Sequence, residues 1–256
     1  MSPAGVTTLG RILFGIPMVV FGIQHFIYVD FVITLIPPWI PGRAFWTYFT
    51  GVALIAAGTA IVLNRTARLA ATLLGVMIFL FFLLVHPPQI AANPGDPHQW
   101  TYLTQAFTFS GIAFAVAAAM PEPEWWRRSP LARLPLPLGR WLVAIGLLVL
   151  GSRQFFEIPF VLKLVPEWYP GQSFWALLAG ALLVATGAAT VLKREWVPAM
   201  LLGTLLLLFL MVFHVPSLAS DPRAGDWGAA CKDSILCGGA FVLAGTRRAL
   251  SPSPRS

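Results

Sequence analysis

Apolar residues run through this chain in long blocks, broken by short polar or proline-rich stretches. A helix needs about 20 apolar residues to cross a bilayer. Eight blocks are long enough, and they predict helices at roughly Thr7–Tyr28, Arg43–Leu63, Ala67–His86, Gln99–Ala119, Leu138–Phe156, Gln172–Leu192, Trp196–His214 and Gly228–Ala249. Prolines punctuate them: Pro37-Pro38, Pro41, Pro87-Pro88, the run from Pro121 to Pro137, Pro166, Pro170 and Pro216. Proline lacks the amide donor and clashes with the preceding turn, so it ends helices. Pro198 falls in a first turn, where it is tolerated, and Pro17 is expected to kink its helix. The first block is longer than a signal-peptide core, no Lys or Arg precedes it, and no small-residue cleavage site follows it.

The blocks repeat. Phe45 to Arg65 and Phe174 to Arg194 share ten identities in twenty-one ungapped positions. The same offset of 129 relates Gly10-Arg11 to Gly139-Arg140, and Pro37-x-Trp39-x-Pro41-Gly42 to Pro166-x-Trp168-x-Pro170-Gly171. It falls to 128 at His86 and His214 and to 127 at Trp100 and Trp227. Self-similarity over this length indicates a duplicated unit. Four helices per copy is an even number, so both copies cross in the same direction. The expected fold is therefore all-α and polytopic, with eight transmembrane helices in two parallel-repeat four-helix bundles, unlike an inverted-repeat transporter. Residues 1–120 form the first repeat, 121–137 a proline-rich cytoplasmic linker, and 138–256 the second repeat. Gly51 and Gly58, like Gly180 and Gly187, share a helix face and favour close helix packing in lipid.

Composition agrees with the pattern. Apolar residues make up 57% and mean hydropathy is +0.77, while charged residues make up only 11%. A soluble domain carries about 25% charged residues. That excludes a cytosolic enzyme, a secreted disulfide scaffold and a disordered tail. The net charge of +7 does not indicate nucleic acid, because the basic residues lie in short clusters between apolar runs. Alternating helices place twelve of the seventeen basic residues on the side of the N-terminus, including Arg11, Arg65, Arg68, Arg127, Arg128, Arg140, Lys193 and Arg194. The positive-inside rule then puts both termini in the cytoplasm, with Trp125-Trp126 and Arg247-Arg248 as interface anchors. Trp39 and Trp168 are expected at headgroup depth on the opposite side. Cys231 and Cys237 match no redox or zinc spacing and read as small packing residues.

The Gly-Arg opening, Gly22-x-x-His25-Phe26, the PPWIP loop, Phe45-Trp46 with Gly51 and Gly58, and a histidine near a proline after the third span resemble the DoxX family. The second copy carries Gly151-x-x-Gln154-Phe155, PEWYPG, His214-Val215-Pro216 and Lys232-Asp233 before Gly238-Gly239. It departs from the first at Gln154, which stands where His25 is expected. The resemblance implies a fused pair of four-helix units in a bacterial or archaeal cytoplasmic membrane. It also implies a link to quinone-coupled sulfur oxidation or redox-stress complexes, with membrane-protein partner subunits. No intrinsic cofactor is expected, and quinone is the ligand the resemblance admits.

Ionisable groups within a span are costly, so each is a functional candidate. They concentrate near the ends opposite the termini. The first copy has Gln24, His25, Tyr28, His86 and Gln105; the corresponding positions of the second are Arg153, Gln154, Glu157, His214 and Lys232, followed by Asp233. Arg153 and Glu157 are four apart and can pair on one helix. If α-helical faces turn Arg153, Glu157, Lys232 and Asp233 inward, a four-charge cluster forms. It neutralises itself, or it makes a pocket for an anionic or quinone-like ligand, with Gln24, His25, His86 and His214 nearby. The histidines have no tight metal-ligand spacing, so no metal is expected, and haem ligation by His86 and His214 would need the copies to face each other closely. Three functional readings stay open: a subunit of a quinone-linked oxidoreductase, a non-catalytic accessory subunit of a larger membrane complex, and a small-solute transporter. No catalytic motif separates them.

Overall fold

The computed structural model describes residues 1–129, 135–162, 170–220 and 224–250. Arg133, Lys163, Trp168, Arg223 and Arg255 lie outside the described residues, as do the side chains of Trp125, Arg247 and Arg248. Every regular element among the described residues is helical. In chain order they are α1 (Pro3–Ile27), α2 (Val29–Leu35), α3 (Arg43–Val62), α4 (Ala67–Leu84), α5 (His86–Ala92), α6 (Pro97–Ala119), α7 (Glu124–Arg127), α8 (Pro135–Phe156), α9 (Ile158–Leu162), α10 (Gln172–Val191), α11 (Trp196–Phe209), a π-helical turn (Leu210–His214), α12 (Val215–Ser220) and α13 (Ala224–Leu250). Six segments are long and apolar enough to cross a membrane: α1, α3, residues 67–92, α6, α10 and residues 196–219. The chain is thus an integral membrane protein. Large apolar side chains such as Val52, Leu73, Leu80, Leu201 and Met211 are exposed along these helices. Water would not tolerate so much apolar surface, whereas lipid does.

Local chemistry sets the helix ends. The Ser2 hydroxyl accepts from the Gly5 amide at α1, and the Asp96 carboxylate accepts from the His98 amide at α6, each with proline at the next position. Gly42 and Gly171 begin α3 and α10 with φ of 68° and 72°. That left-handed backbone explains the glycine closing each Pro-x-Trp-x-Pro-Gly loop. α3 and α10 end alike, at left-handed Asn64 and Lys193, with Arg65 N–H donating to Ala60 O and Arg194 N–H to Ala189 O. These are Schellman-type ends. α1 runs through Pro17 without interruption.

The long helices close a ring. α1 packs on α3, then α3 on α4, α4 on α6, α6 on α8, α8 on α10, α10 on α11, α11 on α13, and α13 back on α1, while α6 also touches α13. The two halves of the chain therefore pack against each other, through α1 with α13 and α6 with α8. Glycine permits these approaches. A Cβ at Gly10 would lie 2.6 Å from Gly238 O, and one at Gly139 would lie 3.1 Å from Gly111 O. Gly22 meets Gly51 and Gly151 meets Gly180 in the same way. Polar ties recur too. Ser110 Oγ donates to Gly75 O at 2.8 Å, and Cys237 Sγ to Gly203 O at 3.2 Å. Arg11 donates to Ile61 O and to Val62 O, and Arg140 donates to Thr190 O, so each Gly-Arg pair sends a guanidinium to the last carbonyls of the following long helix. The core lies inside the ring around Phe14, Ile112, Val116, Leu202, Ile235 and Val242.

Candidate functional site

α1 and α8 end, and α6 and α13 begin, at one end of the bundle, and all four histidines lie there. The predicted i, i+4 pair forms at the end of α8: Arg153 Nη2 is 2.7 Å from Oε2 of Glu157, the residue after the helix. The same guanidinium donates to Pro97 O at 2.8 Å and to Thr101 Oγ1 at 3.2 Å. Arg153 thus ties the second half of the chain to the first turn of α6. Its neighbour Asp96 caps that helix, and the bond from the His98 backbone amide holds the Asp96 carboxyl below the usual carboxylate range.

The other charges do not join Arg153 and Glu157 in one network. Asp233 pairs with His214, whose Nε2 lies 3.0 Å from Asp233 Oδ2. His214 closes the π-helical turn that continues α11. A π turn adds a residue to the helical repeat and shifts the side chains after it; such turns are frequent at functional sites. Here it coincides with a histidine that reaches α13. Lys232, one residue before Asp233, faces α6 instead: its Nζ sits 4.5 Å from the centroid of the Tyr102 ring. A cation over an aromatic face is held by the ring quadrupole. Among the described residues, no carboxylate or carbonyl accepts from that ammonium. Lys232 is the cation here with donors to spare.

The first-half candidates stand apart from this group. His25 Nδ1 donates to Phe21 O of its own helix at 2.7 Å. A Cβ at Gly51 would lie 2.9 Å from His25 Cβ, and one at Gly180 would lie 2.7 Å from Gln154 Cβ. His25 and Gln154 therefore occupy matching places against a glycine, and the difference between them is chemical rather than positional. His86 Nδ1 is buried without a hydrogen-bond partner, and Ala106 stands where the second half has Asp233. Gln24 is half-buried on α1. No group of three or more His, Cys, Asp or Glu side chains able to hold a metal occurs among the described residues.

Sequence reasoning missed Pro97, Thr101 and Tyr102. They belong to the opposite half from Arg153 and Lys232, and a tyrosine at a span end reads as an ordinary interface residue. Trp100, whose Nε1 donates to Pro94 O at 2.9 Å, fixes the loop beside them.

A family model described as Domain of unknown function (DUF8561) matches residues 14–93. That stretch takes in most of α1 and all of α2 to α5, including His25 and His86, and stops before the charged group. No curated protein and no solved structure matches the chain.

Proposed function

We propose that the chain is a DoxX-like membrane subunit of a quinone-linked oxidoreductase complex, with its ligand group at the histidine-bearing end. In this reading eight helices cross the membrane as two parallel four-helix repeats, and both termini face the cytoplasm of a bacterium or archaeon. The recurring contacts of Arg11 and Arg140, of Ser110 and Cys237, and of the paired glycines support a duplicated unit. α8 and α13 would be the fifth and eighth spans in chain order, each packed between helices that are apolar enough to cross.

One observation carries the functional part. Lys232 presents an ammonium held by the Tyr102 ring and bonded to no oxygen, beside a His214–Asp233 pair. An ammonium with free N–H groups suits a carbonyl or anionic oxygen, and the imidazole beside it can serve as a hydrogen-bond donor or acceptor. Such groups suit the carbonyl oxygens of a quinone headgroup. A quinone bound there would supply the redox chemistry, with electrons delivered by a partner subunit. Arg153 would act by positioning: it holds the start of α6, which carries Tyr102.

The mutual pairing of Arg153 with Glu157 and of His214 with Asp233 favours a second reading, a non-catalytic accessory subunit whose charges are structural. Gentle purification, with identification of co-purifying proteins and quinones, separates the two. The first reading expects a redox partner together with quinone, and slower electron transfer in Lys232→Ala and Arg153→Ala. Wild-type turnover in both variants would count against the first reading and favour the accessory role.

A further inference from the structure

Neighbours in the ring do not all meet alike. α10 packs closely on α8, where a Cβ at Gly180 would meet Gln154 and one at Gly187 would meet Leu148. It meets α11 less closely, and the glycine of α11, Gly203, faces Phe241 of α13 instead. No glycine draws α10 and α11 together, so side chains fill the seam between them.

At the histidine-bearing end three aromatic rings fill that seam in a row. Trp175, in the first turn of α10, meets Phe209, the last residue of α11, edge to face with centroids 6.2 Å apart. Phe209 meets Phe213 of the π turn at 5.1 Å. The row runs inward. Leu208 and Met211 beside it are exposed on the lipid-facing surface, Trp175 and Phe209 are half-buried, and Phe213 is 9% exposed. Next in the chain is His214, the partner of Asp233.

The first half lacks this row. Trp46, Phe81 and Val85 stand at the corresponding positions. Trp46 instead meets Phe45 and Phe49 of its own helix, at 5.3 Å and 5.8 Å, and among the described residues no ring contact joins α3 to α4. That half also has Ala106 where the second has Asp233. A row kept only for packing is expected in both copies. It occurs in the copy that carries the charged group.

We propose that the Trp175–Phe209–Phe213 row seats the apolar tail of the ligand. The quinone is then a membrane-dissolved one: its tail lies between α10 and α11, its headgroup passes His214 to reach Lys232, and it arrives from the bilayer rather than from water. This rests on the quinone reading above. A hydrocarbon tail offers no hydrogen bonds, and in lipid only van der Waals packing holds it, for which flat rings present a large area. The polar partners stand at the buried end of the row, where the headgroup oxygens would lie.

The test uses the full chain in phosphatidylcholine bilayers, photolabelled with a benzoquinone whose decyl tail carries a diazirine, with and without excess unlabelled decylbenzoquinone. Peptide mass spectrometry should find label that the competitor removes on α10 and α11 around Trp175 and Phe209. Trp175→Leu keeps the seam apolar and should lower that label about threefold or more, the scale of one aromatic contact. Lys232→Met should lose it. Competed label confined to other helices, or wild-type labelling in Trp175→Leu, would overturn the tail seat; the headgroup reading would stand if Lys232→Met still lost the label. Absence of competed label from the wild type would overturn both.

Discussion

Two glycine-to-alanine changes, identical in chemistry, should move stability in opposite directions. Gly10 on α1 and Gly228 on α13 both lie in helices. In an exposed helix, replacing glycine by alanine stabilises by up to about 1 kcal/mol. Among the described residues, a Cβ at Gly228 meets nothing within 4 Å, so that gain should survive. A Cβ at Gly10 would lie 2.6 Å from Gly238 O, 2.7 Å from Val242 N and 3.0 Å from Phe241 Cβ. Two of these are backbone atoms that no rotamer change can move. To restore ordinary contact at 3.4 Å, α1 and α13 must separate by about 0.8 Å along that line. A gap of that size forfeits roughly a quarter to a half of each dispersion contact across the pair. Overpacking typically costs about 1–3 kcal/mol, which exceeds the propensity gain. The two variants should therefore differ by about 1–3 kcal/mol, or several degrees in Tm, with Gly10→Ala the weaker. Thermal unfolding of both in the same detergent measures the difference. Equal Tm values would refute the close α1–α13 packing on which the ring depends.

Three further outcomes follow from the same geometry. Arg140→Met removes the donor to Thr190 O and a cationic neighbour of buried Glu195, so it should lower Tm, and adding Glu195→Gln should recover part of the loss; thermal unfolding of the single and double variants checks this. Ser110→Ala and Cys237→Ala each remove one bond between neighbouring helices and should lower stability by about 1 kcal/mol, while a maleimide should leave both buried cysteines unmodified until the protein is denatured. Asp96→Ala should lower Tm near neutral pH. Because the native carboxyl is held below its usual range, its contribution is full above about pH 4 and fades as pH falls through the native value, so the gap between wild type and variant should close in acid.

The long helices were legible because lipid demands length and apolarity, and both are written locally. α10 begins at Gln172 as the sequence predicts, α8 runs to Phe156, and α3 ends one residue before the expected Leu63. The short helices α2, α5, α9 and α12 were not read. Segments of 5–7 residues beside a span carry too little periodicity to stand apart from it. The Arg153–Glu157 pair was legible because i and i+4 meet on any helix. The His214–Asp233 contact was not, since it joins two helices through a π turn that no local pattern announces. Nor could spacing show that Lys232 turns away from its neighbour's partner toward Tyr102, a residue 130 positions earlier. The four-charge cluster was conditional on Arg153, Glu157, Lys232 and Asp233 all turning inward; adjacent residues on α13 point about 100° apart, and Lys232 and Asp233 reach different helices.

We propose that Lys232, over Tyr102, holds a quinone oxygen. The direct measurement is quinone content per chain, by solvent extraction and absorbance, in gently purified wild-type protein and in Lys232→Met. Near-stoichiometric quinone is expected in the wild type and a loss of most of it in the variant, with α-helical content unchanged. Wild-type protein without quinone, or a variant that retains as much, would contradict it.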